Sequence, residues 1–153
     1  MPAHIVDSSV WVALAIPDHV HHQSARQWLD PVEETASLIF CRATQQSLLR
    51  LLTSAVVVSP YGRDPLTNRE AWSVVEELMR DDRIVLRLDE PAGLNARWRD
   101  FALRETASPK LWMDAYLAAY AVVGDLGLVT TDAAFLQFSG LDLRLVGQNS
   151  AAK

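Results

Sequence analysis

The sequence predicts a single α/β domain with a short, mainly parallel central sheet, and three observations carry that prediction. The chain has 153 residues, a length typical of one domain. Hydrophobic residues make up 50% of it, which is enough apolar material for a core. Short β-branched runs alternate with longer helical segments, as expected for parallel strands joined by helices that cover both faces of a sheet. We expect one domain over residues 1–148 and a flexible tail over 149–153.

The strands are predicted from short apolar runs that end at polar or turn residues. The first run, HIV, ends at Asp7, and the fourth, LGLVTT, ends at Asp132. We expect strands over residues 4–6, 37–40, 84–88, 126–131 and 141–146.

The helices are predicted where apolar residues recur at spacings of three and four. Pro17 stops the first helix. Thr67, with Glu70 three residues later, has the pattern of a capping box at the start of the fourth. The segment VVVSPYGRDP at 56–65 is interpreted as a loop. We expect helices over residues 8–15, 21–29, 43–55, 68–81, 91–105 and 110–123, and a helical turn over 133–138.

Several classes of protein are excluded by composition. The longest apolar runs, such as 117–123, are much shorter than the roughly 20 residues that span a bilayer. The first residues, MPAHIVD, lack the basic region of a signal peptide. Cys41 is the single cysteine, which rules out an internal disulfide and a cysteine zinc site. We therefore expect a cytoplasmic protein with no membrane partner.

The formal net charge of -5 is the opposite of the basic surface that nucleic-acid-binding proteins usually present. Two explanations are open. Either the protein avoids nucleic acid, or its carboxylates cluster around a cation that makes the local potential positive.

Three aspartates are candidates for such a cluster. Asp7 and Asp132 each follow an apolar strand, and the carboxyl ends of parallel strands meet at one edge of a sheet, where ligands bind. Asp114 lies in LWMDAYLAAYA, whose apolar character predicts a buried helix. A buried carboxylate is costly unless it is paired or bound to a metal.

Two interpretations of these aspartates compete. Three carboxylates at one edge would repel one another unless a cation neutralised them, and hard oxygen ligands favour Mg²⁺ or Mn²⁺. Mg²⁺ retains several waters, one of which could attack a phosphodiester. Alternatively, Asp7 and Asp132 cap the segments that follow them, and Asp114 belongs to the first turn of its helix. The residue types and their positions are compatible with both interpretations.

Long segments of the chain resemble PIN-domain toxins of the VapC type. IVDSSVWVALAIPDHVHHQSARQWL resembles the opening of these proteins, where a strand ends in an aspartate followed by a small hydroxyl residue. SPKLWMDAYLAAYA is similar to the helix that carries the family's third acid, and LVTTDAAF to the turn that carries its fourth. The resemblance implies a three-layer α/β/α PIN fold, a Mg²⁺ or Mn²⁺ cofactor and hydrolysis of RNA phosphodiester bonds. It also implies a homodimer that pairs with a small antitoxin protein.

The resemblance assigns roles to individual residues of this chain. Asp7, Asp114 and Asp132 correspond to the catalytic, metal-binding acids. Ser9 and Thr131 are candidate hydroxyls that orient a carboxylate or a bound water.

One position departs from the family's pattern. The family's second acid is usually a glutamate in a stretch that here reads TQQSLLRLL, with Gln45 in its place. Glutamine retains a carbonyl oxygen but lacks the negative charge, so metal affinity should fall roughly 10–100-fold. Three hypotheses follow: a tolerated natural variant, a weakened enzyme or an engineered inactivating change.

Three other classes of α/β protein need residues that this sequence lacks. A haloacid dehalogenase needs a second aspartate where Ser9 stands, a response-regulator receiver needs a late strand-end lysine, and a Rossmann domain needs a glycine-rich turn after the first strand. None of these is present. The alternative that remains is a PIN-fold module that binds RNA or an antitoxin without cleaving, and Gln45 is the residue that keeps it open.

Overall fold

The computed structural model describes residues 3–147. Residues 1, 2 and 148 of the predicted domain, and the predicted tail at 149–153, lie outside the described residues. The strands are β1 (His4–Val6), β2 (Leu38–Cys41), β3 (Ile84–Arg87), β4 (Gly127–Thr130) and β5 (Asp142–Leu145). The helices are α1 (Ser8–Ala15), α2 (His22–Leu29), α3 (Arg42–Leu52), α4 (Ala55–Val58), α5 (Asn68–Met79), α6 (Leu94–Ala102) and α7 (Leu111–Val123), with 3₁₀ turns at Ser59–Tyr61 and Ala133–Gln137.

The strands form one sheet in the order β3-β2-β1-β4-β5, and every pairing among them is parallel. Strand β1 therefore lies at the centre, with β2 on one side and β4 on the other. Because parallel strands all point the same way, the residues that follow β1, β2 and β4 emerge at the same edge.

Alternate strand residues face opposite sides of this sheet, as the period of a β-strand requires. Val6, Phe40 and Val129 pack against the side covered by α1, α2, α3 and α5. Ile5 and Ile39 face the other side, which α6 and α7 cover. The predicted three-layer α/β/α architecture is confirmed.

The core on the α1 side is centred on a pair of aromatic rings. Trp11 of α1 is fully buried and stacks on Phe40 of β2, with ring centroids 4.1 Å apart and planes 15° apart. The indole Nε1 of Trp11 has no hydrogen-bond partner among the described residues. This pair holds α1 against the sheet and thereby fixes the direction in which the chain leaves β1.

Helix α5 begins with the predicted capping box. The Thr67 hydroxyl accepts a hydrogen bond from the Glu70 N–H at 3.1 Å, and the Glu70 carboxylate accepts one from the Thr67 N–H at 3.0 Å. Two N–H groups that the first turn would leave without partners are thus satisfied.

The predicted loop over 56–65 is wrong for its first half, which contains α4 and a 3₁₀ turn. A run of three valines has low helix propensity. Burial decides the outcome, because Val58 is 2% exposed and packs in the core on the α1 side. Pro60 then fits the 3₁₀ turn, since its fixed φ suits the start of a helical segment.

Several predicted helices are shorter in the structure, and α5 ends at Met79 rather than at residue 81. Helix α3 ends at Leu52 rather than at residue 55, and the Thr53 hydroxyl donates to the Leu49 carbonyl at 2.9 Å. Helix α6 starts at Leu94 rather than at 91, because Gly93 before it has a left-handed backbone with φ of 85°. Among residues 3–147, no helix is long and apolar enough to cross a membrane.

Candidate active site

The aspartates that follow β1 and β4 lie at the same edge of the sheet. Val6 pairs with Val129 in register, and the N–H of Asp7 donates to the carbonyl of Val129 at 2.8 Å. Asp7 follows β1 directly, and Asp132 comes two residues after the end of β4. The juxtaposition predicted from parallel strand ends is therefore present.

Two hydroxyl groups orient Oδ2 of the Asp7 carboxylate. Oδ2 of Asp7 accepts hydrogen bonds from the hydroxyls of Ser9 at 2.9 Å and Thr130 at 2.8 Å. Asp7 occupies the position before α1, yet its side chain does not cap that helix. The capping interpretation therefore fails for Asp7, whose carboxylate is held by side chains instead.

Burial raises the pKa of Asp7 above its ordinary value. The hydrogen bonds from Thr130 and Ser9 act in the opposite direction, because they stabilise the charged form, and repulsion from Asp132 raises the pKa further. The hydroxyl groups thus stabilise the charged form of Asp7, whereas burial and the neighbouring Asp132 destabilise it.

Asp114 lies in the first turn of α7, as predicted, and is half-buried. Its carboxylate makes no hydrogen bond or ion pair with any residue in 3–147. Burial raises its pKa to about 6, and repulsion from Asp7 and then Asp132 adds to the effect. The three predicted acids are therefore close enough to repel one another, and Asp114 is a partly desolvated carboxylate without a protein partner.

Asp132 has a structural role as well. Its Oδ1 accepts a hydrogen bond from the N–H of Ala134 at 2.9 Å, which caps the 3₁₀ turn Ala133–Gln137. The capping interpretation is correct for this residue. A single Oδ1 contact leaves the other carboxylate oxygen available, so capping and membership of the acidic group are compatible.

Thr130 is a site residue that the sequence analysis missed. It is fully buried, and its hydroxyl donates to Asp7 while accepting the Asp132 N–H at 3.0 Å. The predicted hydroxyl, Thr131, contributes its backbone N–H, which donates to Ser9 Oγ at 3.2 Å. The alternation of side chains along a strand could have indicated Thr130. It is the last residue of β4, and its side chain faces Asp7 at the end of β1. The prediction placed the end of β4 one residue too late.

Gln45 is 6% exposed in the first turn of α3. Its Oε1 accepts a hydrogen bond from Nη1 of Arg42 at 2.6 Å. Two residues along α3, the Ser47 hydroxyl accepts a 3.1 Å hydrogen bond from the Ser8 hydroxyl at the start of α1. The first turn of α3 is thus attached to the segment that carries Asp7, but among the described residues Gln45 has no hydrogen bond to the acids.

The donor set fits a hard divalent cation. The three acids offer only oxygen ligands, and Asp114 is a partly buried carboxylate that lacks a protein cation. Within residues 3–147, however, no three His, Cys, Asp or Glu side chains converge tightly enough to surround an ion. One or two carboxylates supplemented by water is the ligand arrangement typical of Mg²⁺.

Comparison with known proteins connects this geometry to a family. A family model described as the PIN domain matches residues 4–141. The chain is 54% identical over 144 residues to ribonuclease VapC41 of Mycobacterium tuberculosis, and the match covers 94% of this chain and 99% of that protein. It is 28% identical over 142 residues to ribonuclease VapC29 of the same organism, with 89% and 90% covered.

Solved structures share the fold at much lower identity. Mycobacterium tuberculosis VapC20, described as a sarcin-ricin loop cleaving toxin, superposes with a TM-score of 0.64 at 15% identity and covers 93% of this chain and 99% of its own. VapBC2 from Rickettsia felis, bound to a DNA fragment from its promoter, gives a TM-score of 0.62 at 12% identity, with 94% and 98% covered. At these identities the likeness is evidence for the fold alone, and it agrees with the three layers described above.

Proposed function

The chain belongs to the PIN-domain family, as a member of its VapC type, and from that membership we propose that it is a metal-dependent endoribonuclease and the toxin of a toxin–antitoxin pair. The observation that carries the proposal is the group of three mutually repelling aspartates at the carboxyl edge of the sheet, one of which has no protein partner. The 54% identity to a ribonuclease over nearly the whole chain supports the same activity.

Asp7, Asp114 and Asp132 would hold a Mg²⁺ or Mn²⁺ ion, with water completing the coordination, since the three carboxylates do not converge tightly around one point in the described residues. When bound, such an ion supplies positive charge that stabilises the phosphoryl group during hydrolysis. The Ser9 and Thr130 hydroxyls keep Asp7 in one orientation, so that the carboxylate need not be ordered when RNA arrives. The backbone N–H of Thr131 in turn holds the Ser9 hydroxyl.

The proposed macromolecular partners are RNA, a small antitoxin protein and a second copy of the chain. The antitoxin is supported by membership of the VapC type, which the 54% identity to ribonuclease VapC41 carries. We call the carboxyl edge of the sheet with Asp7, Asp114 and Asp132 the acidic edge. A cation bound there would explain how a protein of net charge -5 binds RNA, because it makes the local potential positive.

Gln45 favours a second candidate function. With an amide at the position usually occupied by the family's second acid, one negative charge is lost, and the amide oxygen is engaged by Arg42. A PIN-fold module with weakened metal affinity would bind RNA or an antitoxin without cleaving.

Cleavage of labelled total RNA by the purified protein tests both candidates. The reaction is run with Mg²⁺ or Mn²⁺ and with EDTA, beside Asp7→Asn and Asp114→Asn. The matched control is Asp142→Asn, which removes an exposed aspartate at the start of β5, the opposite edge of the sheet. We expect discrete products that require the metal and that only the two site variants fail to make.

Three other outcomes have distinct meanings. Cleavage that survives EDTA, or that Asp114→Asn retains, would contradict the proposed site. Activity that appears only in Gln45→Glu would identify the chain as a disabled nuclease. Absence of cleavage in the wild type and in Gln45→Glu would favour the binding module.

A further inference from the structure

Arg42 lies beside the acidic edge, directly after β2, the strand that pairs with β1. Ile5 pairs with Ile39 in the parallel register of β1 and β2, so counting forward places Cys41 level with Asp7. Arg42, the first residue of α3, comes one residue later. Adjacent strands are about 4.8 Å apart, so the backbone of Arg42 is a close neighbour of the segment that carries the first acid.

The charge of Arg42 is not neutralised within the described part of the chain. The ion pairs found there are Arg26–Asp30, Arg63–Asp18, Arg80–Glu77 and Arg83–Asp81. Arg42 is exposed, and its one hydrogen bond to a side chain is to the neutral amide of Gln45 at 2.6 Å. A guanidinium has five N–H donors, so this contact orients the group and leaves donors for a ligand.

The residue at position 45 determines whether the positive charge of Arg42 is neutralised by a neighbouring side chain. A glutamate at the same distance from Nη1 would form a charge-assisted pair with the guanidinium and cancel it. Glutamine makes the same contact without a charge. Because Gln45 is almost fully buried, its side chain is a fixed support for the exposed guanidinium.

We propose that Gln45 is a positioning residue that holds Arg42 as a phosphate-binding cation for RNA at the acidic edge. This inference rests on the proposed function, because RNA is the polyanion concerned. In a chain of net charge -5, with three aspartates at this edge, an arginine that lies next to them and that no carboxylate neutralises is suited to binding a phosphate. The departure from the family's glutamate thus removes one carboxylate and gains one usable positive charge.

The test measures RNA binding rather than cleavage. All proteins carry Asp114→Asn, and the probe is a short fluorescein-labelled single-stranded RNA, followed by fluorescence anisotropy in EDTA over a series of NaCl concentrations. We expect Arg42→Gln to weaken binding about tenfold and to reduce the slope of log affinity against log salt by about 0.7, the value for one phosphate contact on a single strand. Gln45→Glu should reproduce both changes although Arg42 is still present.

Two further variants separate charge from orientation. Arg42→Lys should retain the salt slope, because the charge remains. Gln45→Met should weaken binding by a smaller factor with the slope unchanged, since only the orienting contact is lost. The matched control is Arg50→Gln, which removes an exposed arginine near the other end of α3 and should leave binding unchanged.

Several results would overturn the inference. They are unchanged binding in Arg42→Gln, binding in Gln45→Glu as tight as in the parent, an equal loss in Arg50→Gln, or no RNA binding by the parent. Circular dichroism melts verify folding, and Arg42 is exposed, so Arg42→Gln is informative even if a Gln45 variant fails to fold. Failure of the proposed function is distinguishable, because it would abolish metal-dependent cleavage by the wild type while leaving the Arg42 dependence of binding intact.

Discussion

The hydroxyl of Thr130 donates a 2.8 Å hydrogen bond to Oδ2 of Asp7, and so joins two residues that are 123 positions apart in the sequence. The same hydroxyl accepts the N–H of Asp132. One buried side chain therefore connects the acid that follows β1 with the acid that follows β4. The geometry of the acidic edge depends on the last residue of a strand as much as on the acids themselves.

Thr130→Val should weaken metal binding roughly 10–100-fold, because the variant keeps the shape of the side chain but loses the hydrogen bonds that orient Asp7 and hold Asp132. Calorimetric titration with Mn²⁺ measures the effect. The matched control is Thr131→Val, whose hydroxyl has no hydrogen-bond partner among the described residues. Equal losses in the two variants would contradict the role given to Thr130.

Asp114 should make stability depend on pH in the absence of metal. Its folded-state pKa of about 6 is above the unfolded value, so the native state holds more protons between about pH 4 and about pH 6. The contribution of Asp114 to stability is therefore largest below the unfolded pKa and is lost as pH rises through the folded pKa. Because the group is only half-buried, we expect the loss to be about 1 kcal/mol after allowance for solvent screening.

Urea unfolding in EDTA at about pH 5 and about pH 8 measures this loss. Asp114→Asn should be more stable than the wild type at the higher pH and should depend less on pH. A variant that is less stable than the wild type at the higher pH would show that the Asp114 charge is favourable in the folded state, contrary to the direction of its pKa.

Trp11→Phe should change the free energy of unfolding by only about 1 kcal/mol. The smaller ring leaves a cavity, but it also removes the buried Nε1–H that has no partner among the described residues, and leaving such a group unsatisfied costs about 1–3 kcal/mol. Trp11→Ala has no such compensation and should cost about 3–5 kcal/mol. Urea unfolding of the two variants tests the difference, and equal costs would mean that the indole N–H is satisfied in solution.

Thr67→Ala should lower the free energy of unfolding by about 1 kcal/mol without affecting RNA cleavage. The substitution removes the N-cap of α5, and the capping box is remote in sequence from every residue of the acidic edge. Thermal melts and the cleavage assay measure the two effects. Reduced cleavage by a folded Thr67→Ala protein would indicate that α5 contributes to the site.

The arrangement of strand ends could be predicted from the sequence because it depends on a general rule. Parallel strands deliver their following residues to one edge, and this places Asp7 beside Asp132 without knowledge of any side-chain contact. The choice between capping and clustering could not be made in the same way. The structure gives a different answer for each residue, since Asp132 caps a turn and Asp7 does not.

Contacts that depend on the exact residue at which a strand ends could not be predicted from the sequence. The supporting hydroxyl comes from Thr130 rather than Thr131 because β4 ends one residue earlier than its apolar run indicates. The helical segment at α4 was missed for a different reason: burial of Val58 outweighs the low helix propensity of valine. The Arg42–Gln45 contact has the spacing of three that helix geometry allows, but its hydrogen bond depends on rotamers that spacing does not determine.

The strand order has a consequence for how the protein is made. Synthesis proceeds toward the C-terminus, so Asp7 leaves the ribosome long before β4, which must dock beside β1 and starts at Gly127. Closing so long a loop is entropically costly, and such pairing forms slowly. The acidic edge therefore stays incomplete in the nascent chain until β4 has emerged and docked beside β1, and any activity of that edge is withheld until then.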